Sequence, residues 1–283
     1  MYVIQNAKRL LSIEPNIFDK RFFILVQGND NKTYQVKFNG PNQKSNINEF
    51  ISNCIGLYIN APVLKGTFIK FTNKQIKRIK NKVESFNGKI FQPDMSNIKN
   101  NILFGIEWKN SIISLQTNRE LEIMLEEVSN KKSFYSLYAY DQYLKNFDRH
   151  IGNHLIVKEK NRKPSCYYTI DGDRIFGNLT WTKVIDYIDD YSCLFGEVWH
   201  KYLYELIDEE KYIIILDYSF KLNNISTEKI KNLINILSHI YTTTDKKEYA
   251  AIKKYLEKRK KNFYKICLEN ATCFPNINQQ RIL

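Results

Sequence analysis

The sequence predicts an α+β fold in two parts: an N-terminal antiparallel sheet carrying a helix, and a mainly helical remainder that holds a β-hairpin. Three observations predict it. Residues 22–26 and 34–38 are β-rich runs flanking Gly28-Asn29-Asp30-Asn31-Lys32, whose composition is that of a hairpin turn. Ile47, Phe50, Ile51, Cys54, Ile55 and Tyr58 then recur at helical spacing. In the second half, residues 154–157 and 166–170 read as short strands around a polar stretch, and the chain beyond about Thr182 alternates apolar and charged residues at helical period.

Taken in order, the second strand carries Lys37 on the same face as Gln35, while Tyr34, Val36 and Phe38 point the other way. Ser45 or Asn46 is placed to cap the following helix. Ala61-Pro62-Val63-Leu64 ends that helix, because proline bars its continuation, and leads into a strand reaching Phe71. A basic helix from about Asn73 puts Ile76, Ile79, Val83 and Phe86 on one stripe with lysines and Arg78 around it. Asn87-Gly88 and Gln92-Pro93-Asp94 are turn signals, residues 102–106 and 112–115 read as strands, and 119–128 as a helix. Phe134, Leu137, Tyr138, Asp141 and Leu144 again have helical spacing. No internal repeat, Gly/Ser linker or low-complexity tail interrupts the chain.

With 283 residues, 43 % hydrophobic and 14 % aromatic, the chain can bury a sizeable core, which excludes a disordered protein. Lys and Arg exceed Asp and Glu by 43 to 30, a bias toward polyanionic company that does not select among nucleotides, nucleic acid and anionic membranes. The five cysteines form no CxxC pair and no zinc spacing, which fits a reducing cytoplasm. No apolar leader opens the sequence and no transmembrane segment is expected.

The chemistry concentrates in Asn146-Phe147-Asp148-Arg149-His150-Ile151-Gly152-Asn153, with Asp171 eighteen residues after Asn153. Phosphoryl transfer from ATP asks for a group that orients the acceptor hydroxyl, oxygen ligands for Mg²⁺ and a cation on the phosphates. Asp148, Asn153 and Asp171 can meet the first two needs. If residues 154–157 and 166–170 pair, Asn153 and Asp171 emerge together at the open end of the hairpin. The bland alternative is that Asp148 caps a turn, Asn153 takes a left-handed position beside Gly152, and Asp171-Gly172 is an ordinary hairpin exit.

The run of residues 146–153 resembles the N-x-D-R-H-x-x-N signature of the HipA-like kinases, and Ile170-Asp171 resembles the metal-binding acid that follows it. Tyr34-Gln35-Val36-Lys37-Phe38, Asn48-Glu49 and Ala61-Pro62 are similar to that family's lysine strand, helix glutamate and proline-led third strand. The resemblance implies a bilobal protein-kinase-like fold, with an N-lobe over residues 1–115, a helical C-lobe over 116–283 and a junction near 116–130. It implies Asp148 as catalytic base or hydroxyl-orienting group, Asn153 and Asp171 as Mg²⁺ ligands, Lys37 on the ATP phosphates and Glu49 as its ion-pair partner. Arg149 and His150 would support the loop. ATP and Mg²⁺ are then the cofactors, a Ser or Thr hydroxyl on a protein the expected acceptor, and a DNA-binding antitoxin-like protein a partner known in such systems.

Two positions depart from the pattern. Gly172-Asp173 follows Asp171, and Asp173 reads as an extra metal ligand or, by a small margin, as a solvated turn acid. Glu49 lies roughly 160–200° from the apolar stripe of its helix at roughly 100° per residue, so periodicity alone turns it to solvent or makes it the N3 partner of an Asn46 cap. Adenine contacts are placed on backbone groups near Phe104-Gly105-Ile106-Glu107-Trp108, with Glu107 as a nucleotide-binding residue and Trp108 as a core aromatic. Gly28-Asn29-Asp30 and Asn39-Gly40-Pro41 compete as the phosphate-covering loop. The alternative function is a weak or inactive kinase-like protein that binds nucleic acid or a partner, since the lysines of 246–265 interleave with Tyr249, Tyr255, Phe263 and Tyr264.

Overall fold

The computed structural model describes residues 4–16, 21–38, 43–85, 101–109, 111–158, 165–178, 181, 184, 186, 188, 198–242 and 244–278. Strands β1 (Ile4–Asn16), β2 (Arg21–Gly28) and β3 (Thr33–Phe38) run antiparallel, and the Gly28-to-Lys32 turn joins the last two as its composition predicts. Helix α1 (Gln43–Ile59), β4 (Gly66–Lys70), helix α2 (Asn73–Ser85) and β5 (Ile102–Glu107) follow. The five strands close into a barrel in the order β1-β2-β3-β5-β4. Phe86 and the turn signals of 87–94 lie outside the described residues, as does the Asn39-Gly40-Pro41 loop.

Helix α1 is buried on all sides from Ser45 to Gly56, a condition that an amphipathic pattern does not announce. Its apolar side seats Phe50 against Phe68 and Phe104 of the barrel, with ring centroids 4.7 and 5.5 Å away. Its polar side, with Asn48, Glu49 and Ser52, faces the second half of the chain. The helix begins at Gln43, so Ser45 and Asn46 stand inside it and not at its cap. On the other side of the barrel, Ile76, Ile79 and Val83 of α2 complete a smaller apolar cluster with Leu10, Ile24, Val26, Val36 and Ile69.

Beyond the barrel come β6 (Ile112–Ser114), α3 (Asn118–Glu126), α4 (Lys131–Tyr135) and α5 (Leu137–Leu144). Thr117 and Glu120 form a capping box at α3. The single helix expected from Phe134 to Leu144 is two, separated at Ser136, whose hydroxyl turns back to the carbonyl of Ser133. Strands β7 (His154–Val157) and β8 (Cys166–Thr169) pair antiparallel with His154 opposite Thr169, and β6 adds to β7. A four-residue turn α6 (Ile175–Asn178) precedes α7 (Val198–Glu205), α8 (Glu209–Asn223), α9 (Thr227–Ile240) and α10 (Lys246–Asn270). Asp208, Ser226 and Asp245 cap the last three through side-chain oxygens, as such residues do at helix starts.

The 25-residue α10 braces α5. Tyr143 donates to the Leu256 carbonyl, Tyr255 donates to the Tyr143 carbonyl, and the buried Arg259 donates to the Gln142 carbonyl. These bonds hold the C-terminal end of α5, from which the motif departs. Tyr249, Tyr255 and Phe263 are therefore core residues and not stacking groups; of the aromatics interleaved with the tail lysines only Tyr264 is exposed. No helix among the described residues is long and apolar enough to cross a membrane.

Phe134 is fully buried and meets Tyr135, His154 and Tyr167. Its replacement by Ala should cost about 3–5 kcal/mol in urea unfolding, whereas Ile123→Ala, at a side chain 56 % exposed, should stay within about 0.5 kcal/mol. Equal effects would contradict this assignment of the core.

Candidate functional site

Helix α5 ends at Lys145, whose left-handed backbone (φ 51°) lets the chain turn sharply, and the Asn146 N–H caps the Asp141 carbonyl. Asp141 is an acid on the apolar stripe of its helix, fully buried, and it therefore needs a partner. Arg149 supplies one: its Nε and Nη2 grip the two carboxylate oxygens at 2.9 and 2.6 Å. Nη1 of the same guanidinium donates to Thr169 Oγ1 at 2.6 Å and to the Ile170 carbonyl at 2.8 Å. Burial opposes the charge on Arg149, but the Asp141 carboxylate outweighs it and holds the guanidinium firmly protonated.

The loop is closed on itself. His150 caps the following 3₁₀ turn, accepting the Gly152 N–H, and the Asn153 side-chain oxygen accepts the His150 N–H at 3.0 Å. His150 is exposed and serves the loop's geometry. Asn153 is tied to the end of β8, its carbonyl accepting the Ile170 N–H at 3.0 Å and the Thr169 hydroxyl at 3.1 Å. Asn153 and Asp171 thus emerge side by side, as strand pairing predicts.

Asp171 itself takes the left-handed backbone, with φ 66°; Asn153 does not. This bend brings Gly172 against α1, where an added Cβ would lie 1.9 Å from Ser52 Oγ. Only glycine lets the loop approach α1 this closely. The approach delivers Asp173 into the protein, 1 % exposed, where Ser45 donates to its carboxylate at 3.1 Å and Asn48 Nδ2 to its carbonyl at 2.8 Å. The expectation of a solvated turn acid is corrected: α1 covers this residue.

Lys37 joins the two halves of the site. Its ammonium donates to Glu49 and, at 2.7 Å, to Asp171 Oδ1, across 134 residues of sequence. Lys37 is 7 % and Glu49 8 % exposed, so Glu49 is not the solvent-facing residue that periodicity allows. Burial works against the ammonium, yet Asp171, Glu49 and Asp173 together hold its pKa above the ordinary lysine value. For Asp173 the balance is reversed. Burial first, then the charges of Asp171 and Glu49, push its carboxyl up to about 7 against the pull of Lys37.

Asp148 stands at the surface of the loop, its N–H on Asn146 Oδ1 and its carboxylate 3.2 Å from Nη1 of Arg174. Arg174 is a residue that motif reading missed, since nothing local in the sequence pairs it with Asp148. Ser45 and Asn48 were missed for the same reason. Glu107 is not brought into this cluster: Lys32 and Lys109 hold its carboxylate, lowering its pKa against the effect of burial. The Glu107 and Trp108 N–H groups go to the carbonyls of Lys65 and Thr33, and Trp108 packs partly buried against the core. The Gly28 turn likewise uses the N–H groups of Gly28, Asn29, Asn31 and Lys32 within the protein, leaving no row of donors for a phosphate.

Between α1, β5, β8 and the Asp171 loop lies a cavity of about 20 Å³, lined by Glu49, Ile106, Tyr140, Arg149 and Asp171 among others. Among the described residues no three His, Cys, Asp or Glu side chains stand together as a metal-holding group. Asp171 and Asn153 nonetheless carry hard side-chain oxygens, which here accept from the Lys37 ammonium and the His150 N–H respectively. That donor set suits Mg²⁺, which keeps waters or takes phosphate oxygens for its remaining positions.

By sequence the chain matches no family model and no curated protein. By structure it is similar to the proinflammatory kinase CtkA of Helicobacter pylori, with a TM-score of 0.60 at 13 % identity over 94 % of this chain and 97 % of that one. HipA of Shewanella oneidensis MR-1, solved with HipB and operator DNA, superposes with a TM-score of 0.36 at 10 % identity, covering 94 % of this chain and 64 % of that chain. The likeness to CtkA assigns the chain a kinase-like α+β fold.

Two outcomes follow from the buried loop. Gly172→Ala should lower the melting temperature by several degrees, and adding Ser52→Gly should restore part of the loss; no rescue would separate Gly172 from α1. In the metal-free fold Asp173 keeps a proton that the unfolded chain gives up around 3.8. The folded state therefore binds more protons between about pH 4 and 7, and this contribution to stability declines as pH rises through that window. Asp173→Asn should lack the decline, so urea midpoints measured with chelator at pH 4.5 and 7.5 should diverge from wild type; parallel curves would refute the assignment.

Proposed function

We propose that the protein is an ATP- and Mg²⁺-dependent kinase of the HipA-like type that phosphorylates a Ser or Thr hydroxyl on a protein. The observation that carries this reading is the meeting of Lys37, Glu49 and Asp171 in one ion cluster, with Asp171 following the Ile170 whose N–H meets the Asn153 carbonyl. The kinase-like fold and the motif of residues 146–153 support it independently.

In this reading the barrel with α1 and α2 forms the N-lobe, and the boundary falls before β6, which pairs with β7 of the C-lobe, and not after residue 115. Lys37, oriented by Glu49, binds the phosphates; Asn153 and Asp171 hold the metal; Asp148 orients the acceptor hydroxyl and takes its proton. Bound Mg²⁺-ATP supplies the phosphoryl group and the positive charge that neutralises it. Arg149 fixes the spacing between Asp148 and Asp171 by binding Asp141 and the end of β8 at once. The four free cysteines among the described residues suit a reducing cytoplasm.

A second reading, a kinase-like protein that binds without turnover, is favoured by the pairing of Asp148 with Arg174. Nucleotide binding and phosphate incorporation measured together distinguish the two. Lys37→Met should weaken the Mg²⁺-ATP thermal shift about tenfold or more in half-saturating concentration. Asp148→Asn should keep that shift and lose roughly 10²–10⁴-fold in labelled phosphate transfer to itself or to a protein mixture. A wild type that binds Mg²⁺-ATP but never transfers, or an unimpaired Asp148→Asn, would replace the first reading with the second or with neither.

A further inference from the structure

Helices α8 and α10 pack side by side, the Tyr212 hydroxyl donating to the Cys267 carbonyl and the Phe220 ring meeting Tyr264 edge to face at 6.2 Å. Their outward surface is unusual in two respects. The first is apolar. Six large apolar side chains are exposed among the described residues, and three of them, Ile213 at 58 %, Phe220 at 57 % and Tyr264 at 38 %, belong to these two helices. Ile213 and Phe220 stand seven residues apart on one face of α8, so with Tyr264 they form a ridge and not scattered single exposures.

The second is charge. Lys247, Lys254, Lys258 and Lys261 fall within roughly 60° of one another around α10 at about 100° per residue, a stripe about 21 Å long at about 1.5 Å per residue. All four are exposed, and among the described residues no acid or carbonyl holds their ammonium groups. Lys261 stands one turn before Tyr264, so the stripe runs beside the apolar ridge. The acids of this side are accounted for. Asp217, Glu257 and Glu269 each pair with a lysine one turn away, and Glu209 and Glu210 sit in the first turn of α8, where a helix N-terminus favours acids.

We propose that the α8–α10 face docks on an anionic lipid surface, with Ile213 and Phe220 entering the boundary between headgroups and acyl chains and the four lysines lying over the lipid charges. A basic stripe beside an apolar ridge is what helices lying in a membrane interface present, and Tyr264, with an apolar ring and a polar tip, suits the headgroup level between the two. Each lysine held at such a surface strengthens binding about fivefold. Nucleic acid fits this face less well. Arg259, the only arginine of the two helices, is buried against the Gln142 carbonyl, so no guanidinium fork is offered to a phosphate. Ile213 has no ring on which a base could stack. The compact charge of lysine suits a fluid layer of headgroups that imposes no register. The proposal does not depend on the kinase reading.

Flotation of the full chain with vesicles of phosphatidylcholine, with and without phosphatidylserine, provides the test. Binding should be about tenfold or more tighter where phosphatidylserine is present, and should weaken as salt rises. Lys254→Glu with Lys258→Glu should remove that difference. Phe220→Ser should weaken binding to the phosphatidylserine vesicles and leave its salt dependence in place. The emission of an Ile213→Trp variant should move to the blue on adding those vesicles, beyond any change in the wild type. Equal binding to both vesicles, an unmoved emission, or tighter binding to a single-stranded oligonucleotide that the same lysine variant loses would overturn the proposal. Unchanged melting temperatures of the variants separate lost docking from lost folding, and the comparison of the two vesicles needs no variant at all.

Discussion

The guanidinium of Arg149 is the joint on which the site depends. It binds both oxygens of Asp141 at the end of α5 and, with its remaining donors, the Thr169 hydroxyl and Ile170 carbonyl at the end of β8. A planar group with donors in fixed directions can satisfy a carboxylate and a second acceptor set at once, which a lysine cannot. The distance between the Asp148 loop and Asp171 is thereby set by one rigid side chain. Because the pair is buried, losing either member leaves an uncompensated charge inside the protein, a penalty of roughly 3–5 kcal/mol.

Helix α1 is the second constraint, and it works on both of its sides. Phe50 anchors it to the barrel, while Ser45, Asn48, Glu49 and Ser52 line the surface on which the Asp171 loop settles. A polar helix side is stable out of water only when its groups find partners. Here the partners come from a distant hairpin and from Trp181, whose Nε1 donates to Asn48 Oδ1. The loop and the helix therefore fix each other, and Lys37 gains its charge balance from both.

Much of the scaffold was legible because local periodicity and turn chemistry determine it. The β2–β3 hairpin, the apolar face of α1 and the β7–β8 pair follow from residue type and spacing. The break at Ser136 was not legible, since Phe134 and Leu137 keep helical spacing across it. The burial of Asp173 and Glu49 was hidden for another reason: each is a polar residue on a face that looks solvated until another element covers it. Asp141 offered a signal, an acid at a core position of its helix, which requires a buried partner such as Arg149.

By itself the sequence determined the β2–β3 hairpin, the β7–β8 pair, helix α1 and the run that bears Asp148 and Asn153 with Asp171 beyond it, because these rest on interactions between neighbours in the chain; β1, whose partners lie around the barrel, was not read. Only the tertiary structure decided that Lys37 meets Asp171, that Arg174 meets Asp148 and that Asp173 lies under α1. Those facts depend on close approach between segments far apart in sequence. Burial, pairing and charge are properties of that approach, and no periodicity encodes them.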